Sequence, residues 1–540
     1  MKMNYINKLI LIIPALLLIS CHDDLDQKPI DPDSFTETDV FVNATEAKGA
    51  LAKLYASLAL TGQQGATGQP DITGIDEGTS QYSRMLFNLN ELTTDNAVVG
   101  WGDPGLPNLH ALSWGASNDF ITAMYFRLGQ EVSFCNSFIE NSQSLTDAEV
   151  EFYIAEARFL RAFTYYNLID FYANVPLSTK VSTSLPEQST RTELFNFVES
   201  ELLEIQERLK ESGTNEYGRV DRVAAWALLS KLYLNAEVWT GENRYTDAVT
   251  YAKKTINSTY SIHTTDANGN GNAYDDLFLA DNDANGAQEE FIFTLNFDGN
   301  SSRTYGGTSF LIHAAIGGSM DPSLYGINGG WEGLRTTKAL VNKFDYAISN
   351  SENGDPIAWE DNRAMFYTQD QNLEINTIAN TFSDGYAVTK FTNIDSNGDA
   401  GSDQGGDFAD TDLPIIRLAE IYLNYAEAVL RGGSGGDLQT ATAYINELRE
   451  RAFGGSSNGN ISSSDLTLDF IIDERARELY WEGQRRTDLI RYQLFTTNTY
   501  LWPFKGDIQS GTGVEAYKTI FPIPSNIILT NENLTQNTGY

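Results

Sequence analysis

Cysteine is nearly absent: Cys21 and Cys135 are the only two in 540 residues. A body that begins at an acylated Cys21 keeps a single thiol, which excludes an intramolecular disulfide. Stability then rests on core packing, which a chain of this length can supply. Histidine is almost as scarce, and His22, His110, His263 and His313 show no metal-ligand spacing. Basic residues are outnumbered, 36 Lys and Arg against 73 Asp and Glu, for a formal charge of −37. An acidic body repels phosphate backbones and anionic surfaces, which excludes nucleic acid as a partner and leaves neutral ligands. The chain also lacks a Gly-x-Ser-x-Gly nucleophile motif and a phosphate-cradling glycine loop. Glycosidase chemistry needs two carboxylates at a defined separation, one with a raised pKa. Among so many acids, neighbours such as Asp275/Asp276 or Glu289/Glu290 carry no weight as such a pair. The expectation is a protein that is not an enzyme.

Long apolar runs are missing too, except at residues 9–19, and that run falls short of the roughly 20 residues that span a bilayer. It follows Lys2 and Lys8 and ends in Leu18-Ile19-Ser20-Cys21. A positive start, an apolar middle and a small residue before the cut make a secretory signal. The last four residues match the lipobox of bacterial lipoproteins, which requires a thiol because acyl transfer goes onto its sulfur. An ordinary signal peptide followed by a chance cysteine is the poorer account where cysteine is so rare. Residues 1–20 therefore read as a lipoprotein signal peptide, Cys21 as the lipidated residue and 21–40 as an acidic tether. Acyl chains anchor a protein at about 0.8 kcal/mol per buried CH2 without any transmembrane helix. The run His22-Asp23-Asp24-Leu25-Asp26 either resembles a surface-export signal of such lipoproteins or is a solvated linker.

What the chain does have is helical periodicity. Apolar residues recur at i, i+3, i+4 and i+7 over 44–61, 149–173, 192–212, 221–239, 245–258, 415–431, 437–453 and 467–494. Between them run long Gly/Asn/Asp/Thr-rich tracts, chiefly 62–120, 262–412 and 495–540, of a length that usually serves function. Phe159/Ala162/Tyr166, Trp226/Leu229/Tyr233 and Leu418/Ile421/Tyr425 repeat one pattern. The second fits the first helix of a tetratricopeptide repeat, Trp226-x2-Leu229-Ser230-x2-Tyr233. The fold expected is mainly α: a tetratricopeptide-like helical-repeat scaffold (α/α superhelix) with long loop-rich insertions. It forms one domain over 41–540, with repeat helices at about 149–258 and 415–494 and a ligand face from about 62–120 and 262–412. Three ordinary amphipathic helices with coincident aromatics remain the alternative.

Several stretches carry a family resemblance. They are Ala155-Glu156-Ala157-Arg158-Phe159-Leu160-Arg161-Ala162, Asn174-Val175-Pro176-Leu177, the run 412–428, Glu474-Arg475-Ala476-Arg477-Glu478-Leu479, Glu482-Gly483-Gln484-Arg485-Arg486-Thr487-Asp488-Leu489, Pro522-Ile523-Pro524 and Gln536-Asn537-Thr538-Gly539-Tyr540. In this order they resemble the SusD-like (RagB/SusD) outer-membrane glycan-binding lipoproteins. The resemblance implies no catalysis, a place on the outer membrane facing the exterior, and a SusC-like TonB-dependent transporter as partner. Gly74-Ile75-Asp76-Glu77-Gly78, Asn90-Glu91-Leu92-Thr93-Thr94-Asp95 and Ala280-Asp281-Asn282-Asp283 look closer still to the starch-binding founder of that family. That likeness implies an aromatic arc for α-glucan (starch or malto-oligosaccharide) at Trp101, Tyr305 and Trp331, with polar partners at Asp76 and Arg84.

The residues support this independently. Each ring sits among glycines, in Gly100-Trp101-Gly102, Thr304-Tyr305-Gly306-Gly307 and Gly329-Gly330-Trp331. Glycine brings no packing surface, so such a ring projects. Sugar C–H faces lie flat on Trp and Tyr, while carboxylates and guanidinium groups bind hydroxyls. Trp226 and Trp481, among apolar neighbours at helical spacing, read as core. In one respect the chain departs from the starch binder: the Trp101 loop is one residue shorter and carries Asp103 in place of an amide. Asp103 accepts from hydroxyls but cannot donate, which keeps another glucan, such as a β-1,3-linked chain, in play. A transporter lid with negligible affinity of its own is a further alternative.

Two features read as structural. Asp266-x-Asn268-x-Asn270-Gly271 and Asp395-x-Asn397-x-Asp399 imitate half an EF-hand loop but lack the twelfth-position Glu. No cofactor is required, and a structural calcium at Asp281 and Asp283 is a weak option. The charged run 474–491 reads as a structural ion-pair network that locks the last helix to the repeats, with Glu474, Glu478 and Glu482 on one edge and Arg475, Arg477, Arg485 and Arg486 able to pair around them.

Overall fold

In chain order the principal helices are α1 (Ala44–Ala59), α2 (Tyr82–Asn90), α3 (Asp119–Ser142), α4 (Ala148–Tyr172), α5 (Arg191–Ile205), α6 (Arg222–Leu234), α7 (Tyr245–Ile256), α8 (Gly307–Ala315), α9 (Leu418–Leu430), α10 (Leu438–Ala452), α11 (Leu468–Leu479) and α12 (Arg485–Arg491). The computed structural model describes residues 40–540 except 73, 350–354 and 380. The expected signal peptide, Cys21 and nearly all of the tether lie outside the described residues.

Polar caps fix where the helices begin. The carboxylate of Asp147 accepts from the Glu149 N–H at the head of α4, and Asp221 does the same for Val223 in α6. Thr190 and Glu193 close a reciprocal capping box on α5. The pairs α4/α5, α6/α7 and α9/α10 pack together, and α7 against α9 joins the second pair to the third. The repeated triplets supply the seams: all are buried except Trp226, which is half-buried and donates its indole N–H to Gln206 at 3.1 Å. The expected mainly helical fold is borne out, and a connected apolar core runs from Ala47 to Phe521.

Strands are short. β1 (Val98–Val99) pairs antiparallel with β3 (Leu334–Arg335), and β2 (Phe291–Leu295) with β4 (Leu413–Arg417). Residues 415–417, expected at the head of a helix, thus belong to a strand, because their carbonyls and N–H groups pair with β2. Three further helices lie outside the expected ones, α2 and α8 within tracts expected as loop and α3 almost wholly in the stretch 121–148 that the pattern left unassigned. α3 has apolar residues at Phe120, Met124, Leu128, Val132 and Cys135, but buries Arg127 and Glu131 on the same face, which blurs its pattern. α2 and α8 are nine residues each and buried nearly all round, with polar Ser83, Asn88 and Asn90 packed inside α2 and Thr308, Ser309 and His313 inside α8, so burial there does not follow an apolar stripe.

The expected helix 467–494 is broken between α11 and α12. Trp481 and Gly483 take left-handed backbone, with φ of 65° and 73°. The break buries Trp481 edge-on against Phe87 and turns Glu482 inward to Arg417 and Lys390, at 2.7 Å each. The single-edge reading of Glu474, Glu478 and Glu482 therefore fails at Glu482. An ion network exists, but with other partners. Glu478 accepts from Arg417 at 2.6 Å, Arg363 at 3.0 Å and Arg451, all fully buried. Arg477 does pair with Glu474, whereas Arg475 turns to Asp488, Arg485 to Asp95 and Arg486 to Asp170.

Candidate functional site

The β1/β3 ladder places the first two aromatics. Val98 faces Arg335 and Val99 faces Leu334, and the Gly100 N–H donates to the Gly333 carbonyl at 2.9 Å. Just past this pair stand Trp101, one residue after Gly100, and Trp331, two residues before Gly333, their ring centroids 6.4 Å apart and tilted by 47°. The second strand is held in turn by the end of α8: Trp331 N–H donates to His313 O and Gly333 N–H to Ala314 O. Tyr305 precedes the same helix, with its ring 6.3 Å from Trp331 and tilted by 52°. Trp101, Trp331 and Tyr305 are therefore one half-buried row with Trp331 at its centre.

Arg84, on α2, lies beneath this row. Its guanidinium is 4.4 Å from the Phe310 ring centre and 5.9 Å from that of Trp101. Nη1 donates to the carbonyl oxygens of Gly78 at 2.8 Å and Tyr305 at 3.4 Å, while the buried Nε finds no acceptor among the described residues. Burial lowers its pKa to about 10, against the opposing pull of the nearby carboxylates Asp76 and Asp103. Exposed Asp76 also accepts from the Gly78 N–H at 2.9 Å. Exposed Asp103 sits in the loop after Trp101, which Asn118 clasps through the Gly105 carbonyl at 2.9 Å. On the far flank, burial and the negative charges of Asp407, Asp403 and Glu77 raise the Tyr305 pKa.

All six expected residues meet in one place: three tilted rings above a guanidinium flanked by two carboxylates. That is chemistry for C–H faces and hydroxyls. The sequence reading missed their supports. Gln81, fully buried, donates to the carbonyls of Leu58 and Ala59 and accepts from the N–H groups of Arg84 and Gly307. It thereby ties α1 and α2 to the Tyr305 loop. Phe310 underlies Trp101, Phe408 packs on Tyr305 at 5.1 Å, and His313 backs Trp331. No motif marks them, since each does its work through contacts remote in sequence.

The other candidates lie elsewhere. Asp281 spends its carboxylate on Ser396 N–H and O–H and on Asn285, clasping two loops. Asp283 is raised by burial and by Asp281 and Asp410. Asp266 and Asp395 accept from backbone N–H groups of their own turns. Among the described residues no group of three or more His, Cys, Asp or Glu side chains is placed to hold a metal ion. A groove of about 520 Å3 between α3, α4 and residues 175–186 is remote from the aromatic row.

A helical-repeat scaffold carrying an open aromatic row defines a binding protein rather than a catalyst. Residues 289–540 match the family model described as "SusD family", and 51–234 match one described as "Starch-binding associating with outer membrane". The chain is 37% identical to the starch-binding protein SusD of Bacteroides thetaiotaomicron, over 100% of both chains. It is 23% identical to SusD-like protein P2 of Formosa agariphila over 99% of each. The fold also matches surface glycan-binding protein A of Bacteroides thetaiotaomicron, solved with laminarihexaose. The TM-score there is 0.67 at 20% identity, over 92% of this chain and 100% of that one. The chain belongs to the SusD family, whose members bind carbohydrate and do not catalyse. No helix among the described residues is long and apolar enough to cross a membrane.

Proposed function

We propose that the protein is a cell-surface lipoprotein, anchored to the outer membrane through Cys21, that captures starch-like α-glucan on Trp101, Trp331 and Tyr305. It passes the chain to a SusC-like TonB-dependent transporter. The observation that carries the ligand class is the tilt of successive rings, 47° and 52° about Trp331. Coplanar rings would suit a flat glycan ribbon, whereas a turned row suits a chain that coils, as α-1,4-linked glucose does. Arg84, Asp76 and Asp103 supply the hydroxyl contacts. The full-length similarity to a protein named for starch binding supports the same ligand.

A β-1,3-glucan also coils, and a distant relative was solved with laminarihexaose. Isothermal titration of the body starting after Gln27 with maltoheptaose and laminarihexaose, alongside Trp331→Ala, separates the two. Heat with maltoheptaose that vanishes in the variant supports α-glucan capture. Heat with laminarihexaose alone transfers the platform to β-glucans, and heat with neither leaves the lid role.

A further inference from the structure

Behind Trp331 lies His313, 1% exposed, its imidazole 4.7 Å from the indole and only 19° from parallel. The other ring contacts of the platform are tilted or edge-on. The backbone binds the same pair, with Trp331 N–H donating to the His313 carbonyl at 2.6 Å. Nδ1 of His313 stands 2.6 Å from the Gly329 carbonyl oxygen. A carbonyl only accepts, so Nδ1 carries a proton, while Nε2 is buried and makes no hydrogen bond among the described residues. Burial holds the imidazole below its ordinary range, against contacts with the Gly329, Gly406 and Asp407 backbone and the Asp407 carboxylate that favour the charged form.

Trp331 needs such a backing. It follows Gly329-Gly330, which offer no side chain to restrain it, and its ring is only half-buried. We propose that His313 is a positioning residue of this platform: it does not touch the sugar, but its flat ring sets the tilt of Trp331. The curvature offered to a glucan chain follows from that tilt. The proposal rests on the binding reading above and adds to it the element that shapes the ligand surface.

Two substitutions separate ring from hydrogen bond. His313→Asn keeps a donor for the Gly329 carbonyl but removes the stacking face. His313→Phe keeps the face and loses the donor. An aromatic pair of this kind corresponds to about 3- to 10-fold in affinity. Maltoheptaose titration should therefore show His313→Asn weakened about 5- to 10-fold and His313→Phe within about threefold of the unsubstituted protein. The reverse order, or a folded His313→Asn protein of full affinity, overturns the proposal while Trp331→Ala still reports on the platform. Should the unsubstituted protein bind only laminarihexaose, the same comparison is made with that glucan; absence of binding to both overturns both readings together. A measurement on the unsubstituted protein covers the case in which the variants do not fold. With 13C-labelled histidine, maltoheptaose should shift the His313 ring signals and leave those of His263, bonded to Asp276 elsewhere, in place. An unmoved His313 signal at saturation overturns the proposal.

Discussion

The indole N–H of Trp101 donates to the main-chain carbonyl of Trp331 at 3.2 Å, so two rings of the platform are hooked to one another. Trp101→Phe keeps a stacking face and removes the hook. A neutral hydrogen bond is worth about 1 kcal/mol net, so maltoheptaose affinity should fall about fivefold. Trp331→Ala removes the centre of the row and both ring neighbours, and should cost at least about tenfold. Calorimetric titration of both variants checks this. Equal affinities for the two would show that the rings act singly.

Gly333 leaves room for that arrangement. A Cβ there would fall 2.4 Å from Cε2 and Cζ2 of Trp101. Gly333→Ala must therefore push the indole aside although residue 333 offers nothing to a sugar. The expected outcome is a loss of about 5- to 10-fold in glucan affinity with a shifted tryptophan emission maximum. Gly102→Ala, with open space at its Cβ, serves as the control and should bind normally. Unchanged affinity in Gly333→Ala would show that the Trp101 position is not set by this contact.

The platform residues were legible because each ring stands beside glycine in a long loop, where core packing gives it no reason to be large. Their supports were not. Gln81 and Phe310 act across gaps of more than 200 residues in sequence, to Gly307 and Trp101 respectively. The paired long helices were legible from period alone, while α8 was hidden because both its faces are buried. The ion network was half legible. Glu474, Glu478 and Glu482 sit in one charged run, yet Glu290, Asp361, Arg363, Arg417 and Arg451 come from separate segments that only the fold brings together.

That network makes a stability prediction. Glu478→Gln would leave Arg363, Arg417 and Arg451, all buried, facing a neutral amide in place of a carboxylate. Breaking a buried ion pair typically costs about 3–5 kcal/mol. Urea unfolding should show a loss of that order, with glucan affinity of the remaining folded protein unchanged, since Glu478 is remote from the aromatic row. A loss below about 1 kcal/mol would mean that the arginines find other anions, Glu290 being the nearest at hand.

The pH dependence follows from two opposed sets of buried acids. Burial pushes Asp412 up to about 8 and Glu91 and Glu131 up to about 7. Their unfolded values are near 4. Folding therefore favours their protonated forms, and what they contribute is fully present below about pH 4 and lost as pH rises through 7 to 8. Glu474 runs the other way. Burial raises it, but Arg363, Arg477 and Arg449 more than offset that and bring it down to about 2. Its contribution is complete above roughly pH 4.5 and lost as pH falls towards 2. On these groups the melting temperature should thus be highest near pH 4 to 5, fall as pH rises from there to about 8 where it levels off, and fall again as pH drops towards 2. Glu131→Gln removes one of these raised groups, whose carboxylate meets Ser57 and Cys135 at hydrogen-bonding distance among the described residues. Calorimetry from pH 5 to 9 should show a shallower decline between pH 5 and 7 in this variant, smaller by about 2 kcal/mol over that interval. An unchanged slope between pH 5 and 7 would place the pH sensitivity elsewhere.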